Sequence, residues 1–191
     1  MIKKGAIILA GGQSRRMNYE DKAFLKIGKD TFMEKILKET CDYKERIIIS
    51  NDPHKYRALN AFVCSDILES KGPLAGIHAG LKNATYEKNL IVACDMPNLN
   101  RDFLNFLGNI QGDYDVIVPV IGTYEQPLCA IYKKSIISTI EECIKNEIYK
   151  VKELYKHVSV GYIQIPEKYE NIFMNVNTPS EYKCLLRRTK K

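Results

Sequence analysis

The sequence predicts an α/β protein with three layers, in which helices cover both faces of a mostly parallel central sheet. Short apolar runs rich in β-branched residues, typical of buried strands, are bounded by turn residues. Helix-like stretches alternate with these runs, an order typical of strands that pair in parallel. The chain has 191 residues, within the size of one ordinary domain. We therefore expect a single three-layer α/β/α domain over residues 1–191.

Strands and helices alternate through the first three quarters of the chain. The predicted strands are short and apolar, and they cover residues 6–9, 46–50, 61–64, 90–93 and 116–120. The predicted helices lie between or after them, at residues 31–40, 74–83, 101–107 and 135–146. No internal repeat, low-complexity tract or linker interrupts this order, which favours one domain.

The last third is less regular. Residues 128–132 and 158–163 are predicted strands, and residues 179–186 form a predicted final helix. That helix has a clear start signal, because Thr178 can cap it, Pro179 suits its first turn and Glu181 completes a capping box.

Composition excludes several classes of protein. Hydrophobic residues make up 45% of the chain and charged residues 27%, as in ordinary globular domains. No apolar run approaches the roughly 20 residues that a membrane helix needs, so we expect a soluble protein without a cleaved signal or a membrane partner. The six cysteines are dispersed without a C-x-x-C pair, which predicts a reducing, cytoplasmic location and no structural metal. The three histidines are also isolated and receive no role.

The net charge of +6 suits an anionic partner, either a nucleic acid or a small phosphorylated substrate. The densest basic cluster, residues 187–191, ends the chain, where cations are readily solvated. A basic recognition helix and an interleaved aromatic platform are both missing. The pattern therefore favours a small phosphorylated substrate and no nucleic acid.

A glycine-containing loop with three cations follows the first predicted strand. Carboxyl ends of parallel strands are where open α/β sheets bind ligands, and glycine lets the backbone approach them. The alternative is a surface turn with solvated cations. Neither G-x-x-x-x-G-K-[ST] nor G-x-G-x-x-G occurs, which excludes a Walker ATPase and a dinucleotide enzyme. The loop reads Leu9-Ala10-Gly11-Gly12-Gln13-Ser14-Arg15-Arg16-Met17-Asn18-Tyr19-Glu20-Asp21-Lys22.

Asp95 follows the predicted strand 90–93 and precedes Pro97, which places its carboxylate at the same edge of the sheet. A hard oxygen ligand there suits Mg²⁺ that bridges triphosphate oxygens. A turn cap is the other common role of aspartate at such a position, and the residues alone favour it.

The loop resembles the L-A-G-G-x-S-x-R-M-G-x-D-K signature of the molybdenum cofactor guanylyltransferase (MobA-like) family, within the larger group of nucleoside triphosphate transferases. Asn18 stands where that family usually has glycine. Further segments resemble family blocks in the expected order: Gly72-Pro73-Leu74-Ala75-Gly76, Cys94-Asp95-Met96-Pro97, the weaker Tyr124-Glu125-Gln126-Pro127-Leu128, and Asn175-Val176-Asn177-Thr178-Pro179.

The resemblance implies a Rossmann-like nucleotidyltransferase fold and transfer of GMP from GTP to the phosphate of molybdopterin, with release of pyrophosphate. The catalytic residues it implies are Lys22 and Arg16, on the phosphates, and Asp95, which binds Mg²⁺ or, as a substitute, Mn²⁺. It also implies transient contact with other molybdenum cofactor proteins. The implied GTP contacts are Leu9, Ala10, Gly11, Gly12, Lys22, Asn51, Asp66 and Asp95, with Asn175 and Asn177 as candidates for the molybdopterin side.

Two of these implied contacts are made by side chains of residues that come soon after a predicted strand. The resemblance places Asp66 on the base, where a carboxylate can accept hydrogen bonds from both the N1 and N2 donors of guanine. Asn51 resembles a second nucleotide contact, although the alignment also allows Asp52 and a turn role is a close alternative.

Three rival functions stay open from the sequence. A transferase of the same fold could use CTP or a different phosphorylated acceptor, but the Gly72 to Gly76 block favours the guanylyl branch by resemblance. A nucleic-acid-binding module is motivated only by the basic charge. A non-catalytic cofactor chaperone is disfavoured because Lys22 and Asp95 are both present.

Overall fold

The computed structural model describes residues 2–11, 21–65 and 72–188. Within these ranges, eight strands form one sheet and two short strands form a separate hairpin. In chain order the strands are β1 (Ile2–Leu9), β2 (Lys26–Ile27), β3 (Asp30–Thr31), β4 (Tyr43–Ile49), β5 (Phe62–Cys64), β6 (Lys88–Ala93), β7 (Val116–Ile121), β8 (Tyr124–Glu125), β9 (Cys129–Lys133) and β10 (Val160–Gln164).

The sheet is mostly parallel, as predicted. Its strand order is β10-β7-β9-β6-β1-β4-β5, with β8 paired to β7, and β2 and β3 form the hairpin. Strand β1 lies near the centre and pairs in parallel with β4 on one side and β6 on the other. Strand β9 runs antiparallel between β6 and β7, a reversal that the apolar pattern does not encode.

Each helix that the sequence predicts is present, with small differences at the ends. The predicted helix 135–146 consists of a 3₁₀ turn, Lys134–Ile136, followed by an α-helix, and the short fifth helix was not predicted. The helices are α1 (Phe32–Glu39), α2 (Pro73–Asn83), α3 (Arg101–Asn109), α4 (Ile137–Lys145), α5 (Val151–Leu154) and α6 (Pro179–Arg188). None of the helices in the described ranges has both the length and the apolar character that crossing a bilayer requires.

The three layers follow from alternation along β1. Ala6 and Ile8 pack with α1 and α3 in one apolar core, while Ile7 and Leu9 pack with α2 and α4 in the other. Because successive side chains of a strand point to opposite faces, the continuously apolar stretch from Ala6 to Leu9 must be covered on both sides. Ile7 and Ile8 are fully buried, and each contributes on the order of 2 kcal/mol by leaving water.

Helix α2 lies unusually close to β1. A β-carbon added at Gly80 would lie 2.3 Å from Cγ2 of Ile7, so only glycine permits this approach. Gly72, at the helix N-cap, has a φ of 74°, which other residues rarely adopt. Gly80 thus permits the close packing of α2 on β1, and Gly72 permits the turn that begins the helix.

A third apolar cluster joins α6 to the β2–β3 hairpin and the start of α1. It contains Leu25, Ile27, Phe32, Val176 and Leu185. The Tyr182 hydroxyl also donates a hydrogen bond to the carbonyl of Lys26, at 2.7 Å. Helix α6 is therefore fixed against the residues just after Lys22.

Candidate functional site

Three strands end together at the carboxyl edge of the sheet. Leu9 of β1 is in register with Ile49 of β4 and with Ala93 of β6. The pairing extends one residue further, because the Ala10 amide donates to the carbonyl of Ile49 at 2.8 Å and the Cys94 amide donates to the carbonyl of Leu9 at 3.0 Å. The residues after these strands, including Gly11 and Asp95, are thus placed side by side.

Lys22 lies over this edge. It begins a 3₁₀ turn, Lys22–Phe24, whose N-cap is Asp21; the Asp21 carboxylate accepts from the amide of Ala23 at 3.2 Å. The Lys22 ammonium is 3.3 Å from Oδ2 of Asp95, and it donates a hydrogen bond to Oδ1 of Asn177. The side chains of Lys22 and Asp95 are 18% and 21% exposed, so the pair is accessible to a ligand but partly shielded from water.

The segment that carries Asn177 is fixed from two directions. The Val176 amide donates to the carbonyl of Asp95 at 2.9 Å, which joins the segment to the end of β6. On the other side, the Glu181 carboxylate accepts from the amides of Asn177 and Thr178, at 2.7 and 2.8 Å. The Glu181 amide donates to Oγ1 of Thr178 at 3.3 Å, so the predicted capping box is confirmed.

A buried tyrosine contacts the Lys22 turn from the loop after β4. The Tyr56 hydroxyl donates to Oδ2 of Asp21 at 3.4 Å, and its ring stacks on Phe24 with centroids 5.2 Å apart. Burial, and then the nearby Asp21 carboxylate, raise the pKa of Tyr56 well above its usual value, so it remains a neutral donor. Lys55 lies 3.6 Å from Asp21 and 3.5 Å from Asp52, and so connects the same two segments.

Sequence reasoning did not find Tyr56. Its only local signal is an aromatic residue in a polar loop, and the contact with Asp21 spans 35 positions of the chain. Its complete burial, which the sequence does not show, is what marks it as part of the support of the Lys22 turn.

The other predicted site residues are placed as follows. Leu9 is buried, whereas Gly11 is exposed and has open space where a side chain would lie. Asn51 and Asn175 are exposed. Four of the residues singled out in the sequence, Gly12, Arg15, Arg16 and Asp66, lie outside the described residues. The structure thus brings Lys22, Asp95 and Asn177 into contact.

Cys94 precedes Asp95 but cannot act as a nucleophile. Burial raises the pKa of its thiol to about 12, with Asp95 and Asp21 adding to the effect. A thiol in that state is protonated at neutral pH, and the thiolate is the reactive form. Among the described residues, the contacting groups at this edge are therefore a cation, a carboxylate and a side-chain amide.

These features define a class of protein. A mostly parallel α/β sheet with a lysine and a carboxylate at its carboxyl edge is typical of proteins that bind phosphorylated ligands there. Comparison with known proteins narrows the class, since residues 6–160 match the family described as MobA-like NTP transferase domain. The chain belongs to this family.

Relatives agree with this membership, and a solved structure shares the fold. The chain is 45% identical to a "probable molybdenum cofactor guanylyltransferase" of Clostridium perfringens (strain 13), over 98% of each chain. It is 38% identical to a protein of the same name from Pelotomaculum thermopropionicum, over 95% of this chain and 91% of the relative. A crystal structure of molybdopterin-guanine dinucleotide biosynthesis protein A from Archaeoglobus fulgidus has the same fold, with a TM-score of 0.82 at 24% identity, over 97% of this chain and 98% of that chain.

Proposed function

We propose that this protein is a molybdenum cofactor guanylyltransferase, which transfers GMP from GTP to the terminal phosphate of molybdopterin. The observation that carries the proposal is the contact of Lys22 with Asp95 and Asn177 at the carboxyl edge of the sheet. Relatives that bear this name align over nearly the whole chain. Family membership and site chemistry therefore support the same reaction.

The reaction needs little from the protein beyond position and charge. An oxygen of the acceptor phosphate forms a bond to the α-phosphorus of GTP, while the bond from that phosphorus to the bridging oxygen breaks and pyrophosphate leaves. Because the acceptor oxygen is already an anion, a general base is unnecessary. What the enzyme must supply is alignment of two anions and stabilisation of their charge.

Lys22 is the group we propose for the triphosphate. Its ammonium is held at a fixed place by two oxygens, and a phosphate oxygen that arrives there offers a stronger partner than the neutral Asn177 amide. Arg16 belongs to the same proposal by its place in the signature. Ala10, Gly11 and Gly12 would contact the nucleoside through backbone groups, and Gly11 has the open space that this requires.

Asp95 is the proposed ligand of Mg²⁺. Across residues 2–11, 21–65 and 72–188, no three histidine, cysteine, aspartate or glutamate side chains could hold a metal ion by themselves. A single accessible carboxylate fits Mg²⁺ that is shared with a nucleotide, because Mg²⁺ commonly takes one or two carboxylates with phosphate oxygens and water. When bound, Mg²⁺ would neutralise charge on the triphosphate.

The proposal is tested by incubating the purified protein with GTP, Mg²⁺ and molybdopterin, beside a parallel reaction with CTP in place of GTP. We expect the guanine dinucleotide of molybdopterin and an equal amount of pyrophosphate with GTP. We also expect GTP to raise the melting temperature more than CTP does. A cytosine dinucleotide as the main product would assign the protein to the rival cytidylyl reaction.

A further inference from the structure

The capping box at the start of α6 contains one more hydrogen bond than an ordinary capping box. In the usual arrangement, the glutamate accepts from the backbone amide of the capping residue, as Glu181 does from Thr178 at 2.8 Å. The same oxygen of Glu181 also accepts from the amide of Asn177 at 2.7 Å. This second bond lies one residue before the helix cap, on the residue that contacts Lys22.

Helix α1 provides a direct comparison. There, Oε2 of Glu34 accepts from the amide of Thr31 at 2.7 Å and from the Thr31 hydroxyl at 2.8 Å. Both hydrogen bonds come from the capping residue, Thr31, and neither comes from the residue before it. The two helices thus share one capping device, and only the glutamate of α6 also holds a residue that reaches the site.

The extra bond bears on Lys22 through a short chain of contacts. Asn177 donates its backbone amide to Glu181 and accepts from Lys22 through its side chain. The preceding residue, Val176, is fully buried and donates to the carbonyl of Asp95 at 2.9 Å. With the backbone fixed on both sides, the direction of the Asn177 side chain is fixed as well, and with it one of the two oxygens that hold the ammonium.

Electrostatics act in the same direction. The pKa of Glu181 is lowered, first by the hydrogen bond from the Asn177 amide and in smaller part by the positive charge of Lys22. The carboxylate is therefore ionised at neutral pH, and its two amide bonds have the strength of bonds to a charged acceptor.

We infer that Glu181 is a positioning residue for guanylyl transfer: it fixes Asn177, which in turn holds Lys22 where the triphosphate binds, a role that rests on the proposed function. Loss of the carboxylate should loosen the turn and leave the ammonium with one fixed oxygen partner. Small displacements of a group that stabilises charge reduce the rate of the chemical step far more than they reduce folding stability.

Matched variants separate this role from helix capping alone. Glu181→Ala and Glu34→Ala each remove a capping glutamate, so we expect similar decreases in melting temperature. Glu181→Ala should lower kcat at least about tenfold, whereas Glu34→Ala should leave kcat within about twofold of the wild type. Glu181→Gln should recover most of the lost activity, because its amide oxygen can accept the same two bonds.

A double-mutant cycle tests whether Glu181 acts through Asn177. In the Asn177→Ala background, Glu181→Ala should change kcat by less than about twofold, since the intermediate side chain is already gone. Should Glu181→Ala fold poorly, Glu181→Asp replaces it in the cycle, because it keeps the charge and withdraws the carboxylate by one methylene.

Equal kcat values for Glu181→Ala and Glu34→Ala would reduce Glu181 to a helix cap. An undiminished effect of Glu181→Ala in the Asn177→Ala background would overturn the proposed route through Asn177. All variants are assayed with whichever nucleotide the wild type uses. A wild type that uses CTP would overturn the proposed guanylyl function and leave the test of Glu181 intact.

Discussion

The two halves of the carboxyl edge are built differently. On the side of β1, β6 and α6, Lys22, Asp95 and Asn177 come from distant parts of the chain and contact one another. On the side of β4 and β5, Asn51 is exposed and β5, at the edge of the sheet, has only three residues. Contacts within the chain hold the charged groups of the first side in place, whereas Asn51 on the second side is exposed. The proposed function puts the triphosphate on the first side and the base on the second. We therefore expect substitutions on the first side to affect the rate and those on the second to affect the choice of base.

The largest effect is expected for Asp95→Asn. The change keeps the size of the side chain and removes the negative charge that suits Mg²⁺, so guanylyl transfer should fall by at least about 100-fold. The free energy of unfolding should change by no more than about 1 kcal/mol, because the ion pair with Lys22 is only partly buried. Kinetics across a Mg²⁺ titration, together with a melting curve, measure both. Wild-type turnover, or loss of activity through unfolding alone, would return Asp95 to the role of a turn cap.

Lys22→Met should produce two opposite changes. Guanylyl transfer should fall by about 100-fold, because a cation on the triphosphate is lost. Binding of Mn²⁺ without nucleotide should strengthen by about fivefold. The Lys22 ammonium lies 3.3 Å from the Asp95 carboxylate, and repulsion between this ammonium and a cation bound close by costs about 1 kcal/mol in water. Electron paramagnetic resonance of Mn²⁺ measures this binding directly. The gain in Mn²⁺ affinity should vanish in the Lys22→Met, Asp95→Asn double variant. If the gain persists there, Asp95 is not the metal ligand.

On the nucleoside side, Asp66→Ala should reduce discrimination between GTP and ITP by about 1 to 3 kcal/mol, because inosine lacks the N2 donor that this carboxylate would accept. The ratio of kcat/KM for the two nucleotides gives the value. Asp66 has no role in reading the base if the variant keeps the wild-type ratio.

The smallest effect is expected for Tyr56→Phe, which removes the donor to Asp21 without changing the ring. Tyr43→Phe is its control, because the Tyr43 hydroxyl is also buried and donates to the carbonyl of Leu104 at 2.6 Å. Each variant should lose about 1 kcal/mol of unfolding free energy. Only Tyr56→Phe should lower kcat, by about two- to fivefold, because only that hydroxyl supports the Lys22 turn. Equal kcat values for Tyr56→Phe and Tyr43→Phe would show that the Tyr56 hydroxyl has no role in the site.

Much of the fold could be predicted because its buried strands and helices are long enough to show a pattern. The hairpin of β2 and β3 has two residues in each strand, and α5 has four residues, so neither shows periodicity. The antiparallel direction of β9 depends on pairing with β6 and β7, which local sequence does not record.

The sequence names candidate site residues, which stay predictions, but it does not show their contacts. The resemblance assigned Lys22 to GTP and Asn177 to the molybdopterin side, whereas their side chains contact each other across 155 positions. The capping box of Glu181 was visible in the sequence, but its second bond, to Asn177, depends on the path of the turn. Tyr56 gave only a weak local signal, because its burial comes from tertiary packing.

The fate of labelled phosphates tests the central claim most directly. GTP labelled at either the α- or the γ-phosphorus is incubated with the protein, Mg²⁺ and molybdopterin, and the products are separated. The account predicts that the α-label enters the guanine dinucleotide and the γ-label leaves in pyrophosphate, in equal amounts. Transfer of the γ-label to molybdopterin, or release of the α-label as free GMP, would contradict guanylyl transfer at this site.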